Sequence, residues 1–226
     1  MPGKSTGARR RAPAPSALLL GAALVAGPWL MVDGARATAP PQPSAAQAFS
    51  PGPTLAGTPS DPAPDPPPPG AAALPPADPV RLRIPAIGVD SPVTRLGLSP
   101  GGTLTPPPAD GPALAGWNGD GTAPGSAGTA VVVGHVDTSH GPGVFFGLGA
   151  LGKGDTVEIA RTDGRTAVFT VDAVEVYEKK DFPDDKVYGA SGTPELRLIT
   201  CGGSYSPSAG YSANTVVYAS LTDVTG

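Results

Sequence analysis

Proline is distributed so unevenly along the chain that it separates a part that can fold from a part that cannot. Residues 40–79 contain 15 prolines in 40 positions, whereas the 147 residues from 80 to 226 contain 12. A segment rich in Pro and Ala with few large apolar side chains cannot bury enough surface to offset its ordering entropy. We therefore expect residues 33–79 to form a disordered linker. Residues 80–226 are long enough to build one domain around a single core.

The N-terminus has the pattern of a targeting or anchoring segment. Residues 1–15 form a basic tail without an acidic residue, and residues 16–32 form an apolar run that is interrupted by Pro28. The run is short for a membrane span and long for the core of a signal peptide. The charge asymmetry predicts a cytoplasmic tail, a single membrane anchor and an extracellular domain. An Ala-Arg-Ala cleavage motif at 35–37 leaves a cleaved, secreted form as the alternative.

The pattern from residue 80 onwards predicts an all-β domain. Short runs rich in Val, Ile and Thr alternate with Gly, Pro and Asp turns, and one helical turn is expected near residues 144–151. About eight short strands in a domain of this size favour a closed barrel or a sandwich. A Thr-Asp-Gly turn at 162–164 predicts a hairpin. The strands are expected at 80–84, 87–94, 103–105, 129–134, 155–161, 166–177, 195–200 and 214–221.

Charge and the scarcity of Cys and His exclude several classes of function. The net charge of −4 gives no electrostatic footprint for nucleic acid. Cys201 is the only cysteine in the sequence, which excludes an intramolecular disulfide and a cysteine-based zinc site. The two histidines, His135 and His140, are too few for a site built from histidine alone. We expect neither a metal nor a cofactor.

Two short motifs place a reactive side chain next to glycine at the end of a predicted strand. Gly-His at 134–135 follows a run of three valines, and Thr-Cys at 200–201 precedes two glycines. Strand ends hold side chains rigidly, and glycine allows close approach of a substrate backbone. If the fold brings Cys201 and His135 together, they form a nucleophile and a base, because a nearby imidazolium favours the thiolate. A buried, inert thiol is the alternative for Cys201.

At these residues the chain resembles the sortases, cysteine transpeptidases of Gram-positive surfaces, and specifically their actinobacterial class F type. The combination of LITCGG with an upstream GHVD is a specific signal, and the resemblance covers nearly all of residues 80–226. It implies a closed eight-stranded β-barrel. The segments that carry it are RLRIPAIGVDSPVTRLGL (81–98), GTAVVVGHVDT (128–138), GPGVFFGLGALGKGD (141–155), VYGASGTPELRLITCGG (187–203) and YSANTVVYA (211–219).

The resemblance also implies a mechanism and partners. Cys201 would attack a carbonyl in a Leu-Pro-x-Thr-Gly-like sorting signal of a secreted surface protein and form an acyl thioester. His135 would protonate the leaving amine and then deprotonate an incoming amine of a peptidoglycan precursor. Thr200 and Gly202 flank the nucleophile and are expected to bind or orient the substrate. Asp137 follows His135 by two residues and is expected to orient the imidazole.

One position departs from the sortase pattern. Sortases carry an arginine at the start of the last strand, and this position, thirteen residues after Cys201, is Asn214 here. Asn214 could donate a neutral hydrogen bond to an oxyanion. Arg197, four residues before Cys201, shares a strand face with it by alternation and could supply charge. We expect one of these two residues to complete the catalytic group.

Two other functions stay open from the sequence. No arginine follows Cys201, which would suit a catalytically impaired sortase-like barrel that binds peptide or cell wall. An L,D-transpeptidase-like cell-wall enzyme would also be exported and use Cys and His. The Ser-x-Gly-Cys pattern that is typical of those enzymes is missing around Cys201.

Overall fold

Ten strands are present in residues 39–50 and 71–226, the part of the chain that the computed structural model describes. They are β1 (Pro79–Ile84), β2 (Val89–Leu96), β3 (Ala115–Asn118), β4 (Gly128–Val133), β5 (Asp137–Thr138), β6 (Gly141–Pro142), β7 (Thr156–Arg161), β8 (Thr166–Glu178), β9 (Pro194–Ser206) and β10 (Gly210–Thr225). A short helix, α1 (Asp184–Tyr188), lies between β8 and β9. Single 3₁₀ turns occur at Ala45–Gln47, Pro85–Ile87, Leu148–Ala150 and Lys179–Asp181.

Eight of these strands close into a barrel. Their order is β1-β2-β3-β4-β9-β10-β8-β7, and β1 pairs with β7 to complete the ring. The β2–β3 and β4–β9 pairs are parallel, and the other neighbours are antiparallel. Closure pairs each of the eight barrel strands on both sides, so the barrel itself has no free edge, and β5 and β6 form a separate two-stranded sheet. The expected all-β, closed eight-stranded barrel is confirmed.

The barrel interior is filled by apolar side chains that alternate with outward-facing residues along each strand. Burying one such Leu, Ile or Phe contributes about 1.5–3 kcal/mol relative to leaving it exposed. The fully buried members include Leu82, Ile84, Phe145, Val157, Ile159, Phe169, Leu196, Leu198 and Val217. This core fixes the positions of the strand ends that carry the polar residues described below.

The expected strands and the observed strands differ in four places, one of which is the unexpected two-stranded ribbon of β5 and β6. Residues 103–105 form no strand, and only an isolated bridge joins Leu98 and Leu104. The sequence Ala-Gly-Trp-Asn of β3 was not expected to be a strand, because it lacks the Val/Ile/Thr content that marks the others. The last two strands, β9 and β10, continue well beyond the predicted residues as one long hairpin.

The smaller expectations for turns are met. Residues 162–164 connect β7 and β8 as an antiparallel hairpin, as the Thr-Asp-Gly turn predicted. The helical turn that was expected near residues 144–151 is present as the 3₁₀ turn at Leu148–Ala150.

Two stretches that the proline content assigns to the linker lie against the barrel. The Ala71 N–H donates to the Leu221 carbonyl at 3.2 Å, and the Leu74 N–H donates to the Gly125 carbonyl at 2.8 Å. Arg161, which is buried, donates from Nη2 to the Pro75 carbonyl. Residues 39–50 contact another part of the surface, as described below.

The predictions for the basic tail, the apolar run and most of the linker lie outside the described residues. Within residues 39–50 and 71–226, no helix combines the length and hydropathy needed to span a membrane.

Candidate active site

The parallel pairing of β4 with β9 carries the two reactive side chains to one place. The ladder continues one step beyond β4, because the Gly134 N–H donates to the Ile199 carbonyl at 3.2 Å. Thr200 Oγ1 donates in return to the Gly134 carbonyl at 2.8 Å. His135 therefore leaves β4 directly beside the part of β9 that bears Cys201.

Cys201 and His135 line the same cavity, which has a volume of about 310 Å³ and is called the catalytic cavity below. Both residues are half-buried. Three further residues singled out from the sequence also line it, namely Asp137, Thr200 and Asn214. Arg197 and Gly202 are not among its lining residues.

Tight packing requires glycine at two positions around the cavity. A Cβ at Gly134 would lie 2.5 Å from Val144 Cγ1 and 2.7 Å from Phe145 Cδ2, so a side chain there would displace either the core or the segment that holds His135. A Cβ at Gly202 would lie 2.4 Å from Thr215 Oγ1 on the adjacent strand. Gly202 therefore allows the close approach of β9 and β10, and its expected contact with the substrate stays a prediction.

A backbone carbonyl holds the imidazole of His135. The ring atom Nε2 lies 2.8 Å from the Pro107 carbonyl oxygen. A carbonyl oxygen can only accept a hydrogen bond, so Nε2 carries the hydrogen and Nδ1 is the acceptor nitrogen of the neutral ring. The same bond is compatible with the imidazolium, in which both nitrogens donate.

Asp137 has a different partner from the one expected. Its Oδ2 accepts a hydrogen bond from the Tyr211 hydroxyl at 2.5 Å, while Pro107 orients the imidazole. Asp137 lies in the ribbon of β5 and β6, where it pairs with Pro142. Asp137 thereby connects the His135 segment to the β9–β10 hairpin across the catalytic cavity.

Tyr211 is a cavity residue that sequence reasoning missed. Burial and the hydrogen bond to Asp137 raise the pKa of Tyr211, so the hydroxyl stays protonated and donates at neutral pH. Its ring also lies 5.1 Å from the ring of Tyr205, which is exposed. The surrounding run of Ser, Gly and Tyr has no strand alternation, so the sequence carries no signal that this side chain faces Cys201. Pro107 was missed for a different reason, because its contact with His135 is made by a backbone carbonyl, which residue type does not reveal.

Asn214 lies next to the nucleophile. The β9–β10 register pairs it directly with Cys201. Opposed residues of an antiparallel pair project to the same face with Cβ atoms about 4.5–5.5 Å apart. The structure thus places the Asn214 amide beside Cys201, at the position where the resemblance led us to expect an arginine.

Arg197 is held away from the nucleophile. It shares the outward face of β9 with Cys201, but four residues of strand separate their backbones by about 13 Å. Its guanidinium lies 2.5 Å from Glu195 Oε2 and 4.5 Å from the ring centre of Tyr218, and the residue is 7 % exposed. The expected reach of Arg197 toward Cys201 is therefore not observed, because closer partners bind the charge.

A larger cavity of about 590 Å³, called the distal cavity below, lies along the same strand. Val131 of β4 lines it, whereas Val133 of the same strand lines the catalytic cavity. Leu104 and the α1 residues Asp184 and Tyr188 form other parts of its wall. Val131 and Val133 belong to a second apolar cluster outside the barrel, together with Ile199, Val216, Val187, Tyr218, Leu104 and Phe182.

Several solved structures are similar to this chain. Sortase A from Listeria monocytogenes has 18 % identity and a TM-score of 0.49, covering 65 % of this chain and 88 % of that one. Sortase C-1 from Actinomyces oris has 24 % identity and a TM-score of 0.49, with coverages of 65 % and 76 %. A mutant of sortase C-1 from S. pneumoniae has 21 % identity and a TM-score of 0.50, with coverages of 65 % and 66 %. These likenesses concern the fold.

Membership follows from the sequence of the barrel itself. No curated protein matches the chain significantly. The family model of the sortase domain, by contrast, matches residues 82–222, which is more than half of the chain and nearly the whole barrel. The catalytic cavity with Cys201 and His135 lies within that range, and the protein therefore belongs to the sortase family.

Proposed function

We propose that the protein is a membrane-anchored cysteine transpeptidase of the class F type. It cleaves a Leu-Pro-x-Thr-Gly-like sorting signal and transfers the acyl part to an amine of the cell wall. The observation that carries this proposal is the shared cavity of Cys201 and His135 inside a sortase domain. The class F type is supported by the sequence segments quoted above. The extracellular location is supported by the basic tail ahead of the apolar run at 16–32.

The proposed reaction uses the two cavity residues in two half-reactions. The Cys201 thiolate attacks a carbonyl carbon of the bound signal, and the tetrahedral intermediate expels the amine, which takes a proton from the His135 imidazolium. A thioester remains on Cys201. An incoming amine then loses its proton to His135 and attacks the thioester, which releases the thiolate. The thioester conserves the acyl energy, so no nucleotide is consumed.

Asn214 is proposed to stabilise the oxyanion of the tetrahedral intermediate. It is paired in register with Cys201, and side-chain amides serve as oxyanion donors in other acyl-transfer enzymes. Arg197 is bound to Glu195 and Tyr218 instead. The catalytic group that we propose is therefore Cys201, His135 and Asn214.

The two cavities together are proposed to bind the signal peptide. The side chains of Val131 and Val133 are about 7 Å apart along β4, a distance that two residues of extended chain span. An extended peptide with its scissile carbonyl at Cys201 can therefore place its upstream side chains over the apolar cluster and into the distal cavity. The apolar cluster suits Leu and Pro side chains, whose burial supplies the binding free energy.

The test is formation of the thioester. The purified full-length chain is incubated with Leu-Pro-x-Thr-Gly-type peptides, with and without an amine acceptor, and its intact mass is measured. We expect a mass increase equal to the acyl fragment, its loss when the amine is added, and no increase in Cys201→Ala. Absence of the adduct with every such peptide would contradict the proposal.

The same assay addresses the alternatives. The one feature that supports the alternative of a non-catalytic binding module is that no arginine follows Cys201 in the sequence. Peptide binding without an adduct would support that function. Reaction with peptidoglycan stem peptides alone would support an L,D-transpeptidase-like activity.

A further inference from the structure

A segment N-terminal to the barrel, residues 39–50, crosses the outside of the domain and is called the strap here. Gln47 Oε1 accepts a hydrogen bond from the Lys153 N–H at 2.8 Å. Gly149 lies so close to the strap that a Cβ there would be 2.1 Å from the Pro41 carbonyl oxygen. At the other end, the Phe49 N–H donates to Glu175 Oε1 at 3.0 Å. The strap therefore touches both the loop before β7 and the outer face of β8.

The strap completes a cage around the ammonium group of Lys186, which belongs to α1. Lys186 Nζ lies 2.6 Å from Glu175 Oε2. It also lies 5.1 Å from the ring centre of Phe49 and 5.4 Å from those of Tyr177 and Tyr218. Such distances are within the range of cation–π attraction. The Phe49 ring in turn meets the Tyr218 ring edge-on at 5.1 Å.

The carboxylate of the cage stays charged. Burial by itself would raise the pKa of Glu175, but hydrogen bonds from Lys186, Tyr177 and the Phe49 N–H outweigh it, and the pKa lies below its ordinary value. The strap contributes one of those hydrogen bonds. At neutral pH the cage therefore contains a full ion pair surrounded by three aromatic rings.

The helix that bears Lys186 has few other attachments. It is five residues long, and Val187 is its only buried residue. A helix of this length has no stability of its own in water. Its position therefore comes from tertiary contacts, of which the cage is one. The others are the burial of Val187, the ring contact of Tyr188 with Phe182 at 5.8 Å, and the hydrogen bond from Thr129 Oγ1 to the Gly189 carbonyl at 2.7 Å. On the same helix, Asp184 and Tyr188 form part of the wall of the distal cavity.

We propose that the strap contributes to peptide binding by holding α1 in place at the wall of the distal cavity. Phe49 and Lys186 are positioning residues, because they hold α1 in the place where Asp184 and Tyr188 shape the distal cavity. This inference rests on the proposed function for its link to a peptide substrate. Its first part, that the strap holds α1, stands on the contacts alone.

The experiment uses the full-length chain with Phe49→Ala. Val80→Ala is the matched control, since Val80 is 45 % exposed and Phe49 is 42 % exposed. Hydrogen exchange of the 184–189 amides and the steady-state kinetics of the signal peptide are measured for both. Loss of one cation–π and one edge-on contact is expected to speed exchange and raise KM, each about fivefold, with kcat unchanged. Val80→Ala is expected to leave both quantities at their wild-type values.

Further variants separate the ring from the charge. Phe49→Tyr keeps the ring and is expected to restore both quantities. Lys186→Met keeps the aliphatic stem but removes the charge, and is expected to act as Phe49→Ala does. Lys180→Ala is its control, because the Lys180 side chain is 78 % exposed and pairs with Asp181 outside the cage.

Each outcome decides a separate question. Unchanged exchange in Phe49→Ala would overturn the inference whatever the kinetics show. Faster exchange with an unchanged KM would overturn the link between α1 and the peptide. If the wild-type chain forms no adduct through Cys201, the proposed function fails. The exchange comparison then still decides whether the strap holds α1.

Discussion

The inward and outward residues of β9 alternate along one strand but have different kinds of partners. Leu196 and Leu198 point into the barrel and are fully buried among apolar side chains. Arg197 and Cys201 point outward, one to a carboxylate and an aromatic ring, the other to the catalytic cavity. Apolar burial has no direction, whereas each polar contact depends on geometry. We therefore expect inward substitutions to change stability and changes in the catalytic cavity to change activity.

The largest effect is expected for His135→Ala. General acid–base catalysis contributes 10²–10⁴-fold, so kcat/KM for the signal peptide should fall about 10³-fold. The loss of one hydrogen bond to Pro107 should lower the unfolding free energy by no more than about 1 kcal/mol. Initial rates measure kcat/KM, and denaturant unfolding measures the unfolding free energy. A decrease in kcat/KM below tenfold would remove His135 from the mechanism.

Leu198→Ala tests the inward face. Deleting a fully buried leucine leaves a cavity and should cost about 3 kcal/mol of unfolding free energy. The kcat/KM measured well below the unfolding transition should stay at the wild-type value, since Leu198 contacts the barrel core. Loss of activity in a chain of unchanged stability would show that the two faces are not separable.

Asn214→Ala tests the proposed oxyanion donor. Removing one such donor costs about 10²–10³-fold in kcat, and we expect a loss near the lower end. Asn214→Arg restores a donor at the position paired with Cys201 and should keep most of the activity. A near-normal kcat in Asn214→Ala would show that groups other than Asn214 stabilise the oxyanion.

The smallest effect is expected for Arg197→Met, which tests a residue of the outward face of β9 that lies away from the catalytic cavity. Arg197 is buried, while the side chain of its partner Glu195 is 26 % exposed, so water can compensate the lost pair in part. The unfolding free energy should fall by about 1–2 kcal/mol and kcat should change less than about threefold. Arg83→Met, which removes an exposed pair with Asp90, is the control and should change neither. A tenfold drop in kcat would return Arg197 to the catalytic group.

The regular parts of this molecule could be predicted because local patterns determine them. The runs VVV and ELRLIT alternate or are wholly apolar, and glycine punctuates them, so the sequence predicts both ends of β4 and the start of β9 to within one residue. Residue chemistry and the family resemblance single out Cys201 and His135 as candidates. Their meeting in one cavity depends on the parallel register of β4 with β9, which no local pattern specifies.

The parts that could not be predicted depend on partners that are distant in sequence. Alternation correctly puts Arg197 on the face of Cys201, but it says nothing about Glu195 and Tyr218, which bind the guanidinium first. The proline content of residues 39–50 gave no sign that Phe49 would pack against Tyr218, 169 positions later. Composition indicates only whether a segment would be ordered in isolation. Residues 39–50 are ordered through their contacts with the barrel surface, which composition does not reveal.

The parallel pairing of β4 with β9 also has a consequence for the kinetics of folding. The contact between Thr200 and Gly134 closes a loop of 66 residues, whereas the β7–β8 and β9–β10 hairpins need only short turns. Loop-closure entropy makes such distant pairings slow to form. The hairpins should therefore form first, and the imidazole and the thiol should come together only as the barrel closes. A chain arrested before that step would have most of its strands, but Cys201 and His135 would not yet share a cavity.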